Sequence, residues 1–234
     1  CASENAKPDQ DFLPLSVDYF ERFYAAGRIP GGFLRREAKL SDYEVLISRL
    51  VDRALRPMFP EDYHSETQVM ISLISADKNI MPDCLAGLAA SAAIAVSDIP
   101  FNGPISEVRV AKIDGQLVIN PTVADLDRAS LEFIVGGTEH DITMVEGEAS
   151  EISEQEMVEA LEFAQKAIII QVQAQKELAA LAGKTTKRAY SHEISNLELK
   201  DKVYANTYDQ VYAVAKSGSA KQERSEKFAQ IQED

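Results

Sequence analysis

Residues 41–57 read SDYEVLISRLVDRALRP, and they define the first helix of the chain. Ser41 is followed three residues later by Glu44, which is the capping-box signature of a helix N-terminus. Pro57 removes a backbone donor and stops the helix. Apolar residues recur at helical spacing between these limits, at Val45, Leu46, Leu50, Val51 and Leu55. The stretch therefore predicts an α-helix that buries one face against a core.

Strands are predicted on both sides of this helix. Residues 12–17 (FLPLSV) and 67–75 (TQVMISLIS) are apolar and β-compatible. A second, Ala-rich helix opens at Pro82-Asp83 and runs through Val96, and its small residues permit close packing. The chain therefore begins as strand, helix, strand, helix.

A hairpin is predicted next, because residues 107–113 and 116–119 flank Asp114-Gly115, a strong signal for a two-residue turn. A second strand pair is predicted at 131–135 and 141–146. This part of the chain therefore adds antiparallel pairing to the alternation of strands and helices.

A long helix is predicted from Ser153 to about Ala182, where Gly183 ends it. Its core stripe is expected to include Met157, Leu161, Ala164 and Ile168. From Asn196 onward the pattern is helical again, with a break near residues 217–218. The element order indicates an α+β domain, with helices packed on a mixed sheet, followed by an all-α element.

The composition fits a soluble, cytoplasmic protein. The chain has 234 residues, of which 45 % are hydrophobic, enough for one domain with an extension or for two small domains. No stretch approaches the ~20 apolar residues that a membrane helix needs, so no membrane association is expected. The two cysteines, Cys1 and Cys84, make no disulfide framework, and Cys84 is expected to be a buried free thiol.

Charge is distributed unevenly along the chain. The net charge is −14, which argues against nucleic-acid binding by the whole surface. Residues 20–57 nevertheless contain eight basic and five acidic residues, a net of +3, so the remainder carries −17. Such a segment can attract a polyanion to one place, although ordinary ion pairing within the segment is the alternative.

The motif that stands out within this segment is residues 31–36, GGFLRR. An aromatic side chain and two arginines on a glycine turn suit single-stranded nucleic acid, because the ring stacks on a base while the guanidinium groups pair with phosphates. The alternative is a turn with its apolar residues folded inward. A second candidate feature is the row of Arg49, Arg53 and Arg56 on one helix face, which indicates either phosphate contact or a structural ion-pair network.

Catalytic and metal-binding patterns are missing from the sequence. His64, His140 and His192 are isolated from other potential ligands or nucleophiles, and no Gly-rich phosphate loop has the required spacing. The residues alone therefore predict an α+β domain with one basic loop, no catalytic residues and no metal site.

Longer stretches resemble the first ribonuclease PH-like domain of the bacterial polynucleotide phosphorylase family. The stretches that carry the resemblance are residues 11–19, 25–37, 48–60, 97–104, 118–121, 135–138 and 144–146. They are spread in order from about residue 11 to 183. The resemblance implies that residues 1–183 form this domain, N-terminally truncated, and that residues 184–234 form a linker and the start of a helical domain.

The same resemblance implies an activity. The family consists of phosphate-dependent 3′-to-5′ exoribonucleases, or polyribonucleotide nucleotidyltransferases, which release nucleoside diphosphates and take part in mRNA catabolism. The implied parent enzyme is a homo-trimeric ring that takes inorganic phosphate as co-substrate, uses Mg²⁺ and engages partners in RNA degradation. Its main catalytic and metal-binding residues lie in a second ribonuclease PH-like domain, so this chain alone is expected to be inactive.

Carried over to this chain, the family's RNA-contacting channel loop corresponds to Phe33, Leu34, Arg35 and Arg36. Leu34 stands where an aromatic residue is common in relatives, which leaves Phe33 as the expected stacking residue. Arg49, Arg53 and Arg56 match the family's arginine-bearing helix and are expected to contact phosphate or RNA. The alternative function is a non-catalytic RNA-binding or assembly subunit of an exosome-like ring.

Overall fold

The computed structural model describes residues 1–31, 37, 39–192 and 196–233. The chain divides into two compact units, Cys1–His192 and Glu193–Asp234. The strands of the first unit are β1 (Leu15–Glu21), β2 (Thr67–Leu73), β3 (Ser106–Ile113), β4 (Gln116–Ile119), β5 (Ala129–Gly137) and β6 (Ile142–Ala149). Its helices are α1 (Asp42–Leu55), α2 (Asp83–Ala95), α3 (Val123–Leu126) and α4 (Glu154–Leu181).

The strands form two sheets. β1 and β2 pair in parallel, with α1 as the crossover between them. The other sheet is antiparallel and has the order β4-β3-β5-β6. The α+β class is therefore confirmed, but among the described residues the expected mixed sheet is divided into a parallel pair and an antiparallel sheet.

Helices separate and cover these sheets, so the unit is built in layers. One apolar core joins α1 and α2 to the parallel pair and to one face of the antiparallel sheet, through residues such as Tyr19, Val51, Ala90 and Ile134. A second core joins the opposite face of that sheet to α4. β3 and β5 are therefore covered on both faces.

Local sequence signals explain where the helices begin. Ser41 and Ser153 each accept from the backbone N–H three residues later, while Glu44 and Glu156 complete the two capping boxes. Asp114 and Gly115 both have positive φ, as the hairpin turn between β3 and β4 requires. These predicted starts and turns are confirmed.

The predicted core stripe of α4 is wrong at its first position. Met157 is 39 % exposed, whereas Ala160, Ala164, Ile168 and Val172 are fully buried. The face of α4 that packs on the sheet consists of small and β-branched residues, because Ala160 and Ala164 let α4 approach β3 closely. Met157 lies on the helix flank, where a long side chain remains in solvent.

The segment after α4 stays attached to the first unit. The Nζ of Lys187 donates to the carbonyl oxygens of Ile94, Ala95 and Ser97 (3.1, 3.2 and 2.8 Å). The Tyr190 hydroxyl donates to Asp62 (2.7 Å). The second unit contains α5 (Leu197–Lys216) and α6 (Lys221–Glu233), with Gly218 in a left-handed conformation at the break predicted near residues 217–218.

Candidate nucleic-acid interface

The loop between β1 and α1 is tied together at its base. The guanidinium of Arg22 donates to the carbonyl oxygen of Glu37 (2.6 Å), and the backbone N–H of Phe23 donates to the Glu37 carboxylate (2.8 Å). Both contacts join positions 14 or 15 residues apart. Because the fold itself closes the loop, a ligand held by the intervening residues does not have to pay that closure entropy.

Glu44 forms a second anchor beneath the loop. Its carboxylate accepts hydrogen bonds from the backbone N–H groups of Glu21 (2.8 Å) and Ser41 (2.7 Å) and from the Ser41 hydroxyl (2.8 Å). Burial raises the pKa of this carboxyl, but the hydrogen bonds outweigh burial and the net pKa is lowered. A charged Glu44 therefore clamps the start of α1 to the end of β1.

An open groove of about 500 Å³ lies beside this anchor. Its lining includes Glu21 and Tyr43 together with Ala76 and Asp77 from the segment after β2. Three apolar lining residues remain exposed, namely Ile80, Leu85 and Val123. The groove thus offers apolar rims with polar groups between them.

The predicted loop residues Phe33, Leu34, Arg35 and Arg36 lie outside the described residues. The described positions on either side are Gly31, which is exposed, and the anchored Glu37. The RNA-binding role of residues 33–36 therefore stays a prediction.

The three arginines of α1 have different surroundings. Arg53 pairs with Glu146 of β6 (2.5 Å). Arg56 pairs with Asp52 and also donates to the carbonyl oxygens of Leu13 (3.1 Å) and Leu15 (3.2 Å), so it fastens the end of α1 to the start of β1. Arg49 is exposed and makes no ion pair with the part of the chain that the structure describes. The expected RNA or phosphate contact of these arginines stays a prediction, and Arg49 has the side chain most available for it.

Sequence reasoning missed a buried charged cluster on the face of β3 that packs against α2. Arg109 pairs with Asp83 of α2 and with Glu132 of β5. Glu107, two residues earlier on the same face, is 1 % exposed, and its Oε1 has no hydrogen-bond partner among the described residues. Burial first, and then the charge of Asp83, raises the pKa of Glu107 to about 8, so this carboxyl is mainly protonated at neutral pH.

The signal for this cluster was present in α2. Charged residues at alternate positions of a strand normally mark a solvated face, as they do in many antiparallel sheets. The helix DCLAGLAASAAIA, however, has no polar face after its first residue. Such a helix packs on a strand face and buries it, although α2 itself leaves Leu85 in solvent.

The described ranges also bear on metal binding and on membrane spanning. No group of three or more His, Cys, Asp or Glu side chains there is placed to hold a metal ion. None of the helices in those ranges combines the length and the apolar character that crossing a membrane requires.

Two family models match this chain. The model described as 3′ exoribonuclease family, domain 1, matches residues 1–100, and the model for domain 2 of that family matches residues 103–167.

The chain belongs to the 3′ exoribonuclease family.

The boundary between the two family domains coincides with a structural one. The domain 1 match contains the parallel pair and helices α1 and α2, whereas the domain 2 match contains the antiparallel sheet and the first half of α4. The charged cluster of Asp83, Arg109 and Glu132 crosses this boundary. In this member of the 3′ exoribonuclease family, the two domains therefore share one buried ionic contact.

Relatives match along the whole chain. A polyribonucleotide nucleotidyltransferase of Parabacteroides distasonis is 56 % identical over 234 residues, which is all of this chain and 31 % of the relative. One of Porphyromonas gingivalis is 55 % identical over 234 residues, and one of Cytophaga hutchinsonii is 56 % identical over 231 residues. The Porphyromonas gingivalis match includes 100 % of this chain and the Cytophaga hutchinsonii match includes 98 %. Each includes 32 % of the relative. It thus spans about a third of the length of the curated relatives it matches.

A solved structure has the same fold. The crystal structure of rice (Oryza sativa) Rrp46 superposes with a TM-score of 0.55 at 11 % sequence identity, covering 79 % of each chain. At this identity the likeness concerns the fold alone, and it supports the ribonuclease PH-like architecture expected from the sequence.

Proposed function

We propose that this chain is the RNA-contacting part of a polyribonucleotide nucleotidyltransferase, a phosphate-dependent exoribonuclease that shortens RNA from its 3′ end. The observation that carries the proposal is the identity of 55–56 % along the chain to relatives with that name. The matches to both domains of the 3′ exoribonuclease family support it.

The reaction is phosphorolysis. Inorganic phosphate attacks the phosphorus of the terminal phosphodiester, the bond to the preceding 3′ oxygen breaks, and a nucleoside diphosphate leaves. The RNA, shortened by one nucleotide, keeps a free 3′ hydroxyl. Phosphate is therefore a co-substrate in this proposal.

This chain contributes RNA positioning rather than bond cleavage. The loop that carries Phe33, Leu34, Arg35 and Arg36 is closed at its base by Arg22, Phe23 and Glu37, which suits a loop that grips RNA. Catalysis and Mg²⁺ binding are assigned to the second ribonuclease PH-like half of the parent enzyme.

The proposal extends to assembly and location. A homo-trimeric ring in the cytoplasm would bring three such loops around one central channel, through which a single RNA strand passes. Such a ring could also take part in mRNA catabolism together with other RNA-degrading proteins. The support for these points is the family resemblance.

The division of labour is tested by phosphorolysis. This 234-residue chain, incubated with 3′-labelled poly(A), phosphate and Mg²⁺, is expected to bind the RNA and to release no labelled nucleoside diphosphate. The longer parent protein is the positive control and is expected to release it. Robust turnover by the chain alone would refute the assignment of catalysis to the other half.

The loop is tested by binding. The double substitution Arg35→Ala and Arg36→Ala is expected to weaken RNA binding by about 1–3 kcal/mol and to reduce the salt dependence of the affinity, since phosphate contacts act through counterion release. Arg224→Ala, an exposed arginine on α6, is the matched control and should leave both quantities unchanged. An unchanged affinity and salt slope in the double variant would remove the loop from the RNA site.

A further inference from the structure

A rigid turn stands at the foot of the loop that precedes α1. Residues Phe23–Ala26 form one turn of 3₁₀-helix, and Gly27 closes it in a left-handed conformation with φ of 66°. The N–H of Gly27 donates to the carbonyl oxygen of Tyr24, and the N–H of Arg28 donates to that of Phe23, each at 2.9 Å. Two carbonyl oxygens of the turn are therefore bonded by the residues that directly follow it.

The turn is also fixed to the body of the first unit. The carbonyl oxygen of Ala25 accepts from the N–H of Ala76 (2.9 Å), and Ala76 lines the groove beside the loop. The N–H of Phe23 is held by the Glu37 carboxylate. Ala25 itself is buried. The side chains of this turn are thus attached to a backbone that the protein already holds in place.

Three large side chains leave the turn or its exit into solvent. Tyr24 is 57 % exposed and Ile29 is 90 % exposed, while Arg28 is exposed between them. The exposed Tyr24 ring has an apolar face that another molecule can contact. An aromatic and an arginine presented in this way match the elements of single-strand recognition, in which rings stack on bases and guanidinium groups pair with phosphates.

Among the described residues Arg28 makes no ion pair, whereas the neighbouring Arg22 is engaged. Arg22 donates to Glu37 and lies 5.0 Å from the centre of the Phe20 ring, so its guanidinium is engaged by the protein. The Glu37 carboxylate accepts from Phe23, and that of Glu44 from Glu21 and Ser41. Arg35 lies seven positions after Arg28, so the chain between them spans at most about 25 Å and one strand can reach both.

We propose that Tyr24 and Arg28 form a second RNA contact, a stacking platform at the foot of the loop, in which Tyr24 stacks on a nucleobase and Arg28 pairs with a phosphate of the same strand. This inference rests on the proposed function, in which residues 33–36 grip RNA. It adds to that loop a second contact, on the hydrogen-bonded turn Phe23–Ala26 beside it.

The experiment measures binding of two fluorescein-labelled probes to the full chain by anisotropy, namely 12-nucleotide oligoadenylate and an abasic ribose-phosphate chain of equal length. Tyr24→Ala is expected to weaken oligoadenylate binding about 5- to 150-fold, the range of one lost base stack, and to leave the abasic probe unaffected. Tyr24→Phe should stay within about twofold of the unaltered chain, because the ring is kept. Arg28→Gln should weaken both probes and make the slope of log affinity against log salt less steep by about 0.7, the value for one phosphate on a single strand.

Tyr204→Ala and Arg224→Gln are matched controls, since each replaces an exposed residue of the same type in the second unit. Equal affinities of Tyr24→Ala and the unaltered chain for oligoadenylate would overturn the platform, as would an equal loss on the abasic probe. If Arg35→Ala with Arg36→Ala still weakens binding in that case, the proposed function survives and only the platform fails. If the unaltered chain binds neither probe, both fail.

Discussion

Glu107 shows at the scale of one residue how the fold controls a proton. Gly87 of α2 packs so closely on the Glu107 carboxyl that a β-carbon at position 87 would overlap it. The residue of β5 that pairs with Glu107 is Gly136. Burial raises the pKa of Glu107 to about 8 from its usual value of 4.5. The native state therefore binds this proton more tightly than the unfolded chain does.

A dependence of stability on pH follows from that difference. Because the folded pKa lies above the unfolded one, the contribution of Glu107 is fully present below about pH 4.5 and is lost as pH rises towards 8. The expected loss is about 1.4 kcal/mol for each pH unit inside this window. Glu107→Gln keeps the shape without the titration, so it should flatten the fall in unfolding free energy between pH 5.5 and 7.5.

Urea unfolding at these two pH values checks the prediction. Glu148→Gln, an exposed glutamate on β6, serves as the control and should keep the slope of the unaltered chain. The other titratable groups near Glu107 are Asp83, Cys84 and Arg109, which both variants retain. Burial raises the pKa of Cys84 and moves its titration further from this window. Parallel slopes for the unaltered chain and Glu107→Gln would show that Glu107 is charged or solvated in the folded protein.

Single residues are where sequence reasoning reached least far. The buried roles of Glu107 and Arg109 depend on packing against α2 and β5, so the alternation of charges within β3 alone does not reveal them. Residues 33–36 were singled out by composition and by family resemblance, while their supports, Glu37 and Glu44, depend on contacts 14 or more residues away. Cys84, by contrast, is a buried free thiol as expected, because its helix has no polar face on which to place it.

At the scale of elements, prediction succeeded where the signals are local. The capping box at Ser41, the helix start at Ser153, the Asp114-Gly115 turn and the end of α4 at Gly183 involve residues within a few positions of one another. Met157 was misplaced because two apolar stripes of α4 have similar spacing, and only the sheet selects between them. A periodic pattern therefore locates a helix more reliably than it locates the buried face.

The segment after α4 supplies a prediction at this scale. Lys187 caps the end of α2 by donating to the carbonyl oxygens of Ile94, Ala95 and Ser97, of which that of Ile94 also accepts from the N–H and the hydroxyl of Ser97. Lys187→Met keeps the aliphatic stem and removes all three donors. We expect it to lower the unfolding free energy by about 1–3 kcal/mol, because the partly buried carbonyl oxygens of Ala95 and Ser97 lose the Lys187 donor.

Hydrogen exchange gives a local reading of the same substitution. Amides at the end of α2 and in residues 184–192 should exchange faster in Lys187→Met, whereas those of α5 should not change. Lys184→Met, three residues earlier and exposed, is the control and should behave like the unaltered chain. Unaltered protection of residues 184–192 would mean that Arg188, Tyr190 and His192, through Asp98 and Asp62, suffice to hold the segment.

At the scale of the whole molecule, the fold class was predictable but the layering was not. Element order along the chain is enough to assign the α+β class. That α1 and α2 lie between two separate sheets depends on which face of β3 meets which helix, and β3 carries charged residues on a buried face. The family resemblance, rather than any pattern of residues, predicted the ribonuclease PH-like architecture.

The distribution of charge over the entire chain should restrict where RNA binds. Residues 20–57 have a net charge of +3 and attract a polyanion. The rest of the chain, here called the acidic body, has a net charge of −17 and repels it, so RNA should bind at one locus. With Arg28, Arg35 and Arg36 as the phosphate contacts, log affinity should fall with log salt at a slope of about −2, as three contacts on a single strand imply. Affinity for oligoadenylates should rise with length only until the strand spans that locus and should then level off. A slope steeper than about −5, or an affinity that keeps rising with length, would mean that RNA follows a longer path across the surface, and the acidic body would then have to present a second basic track.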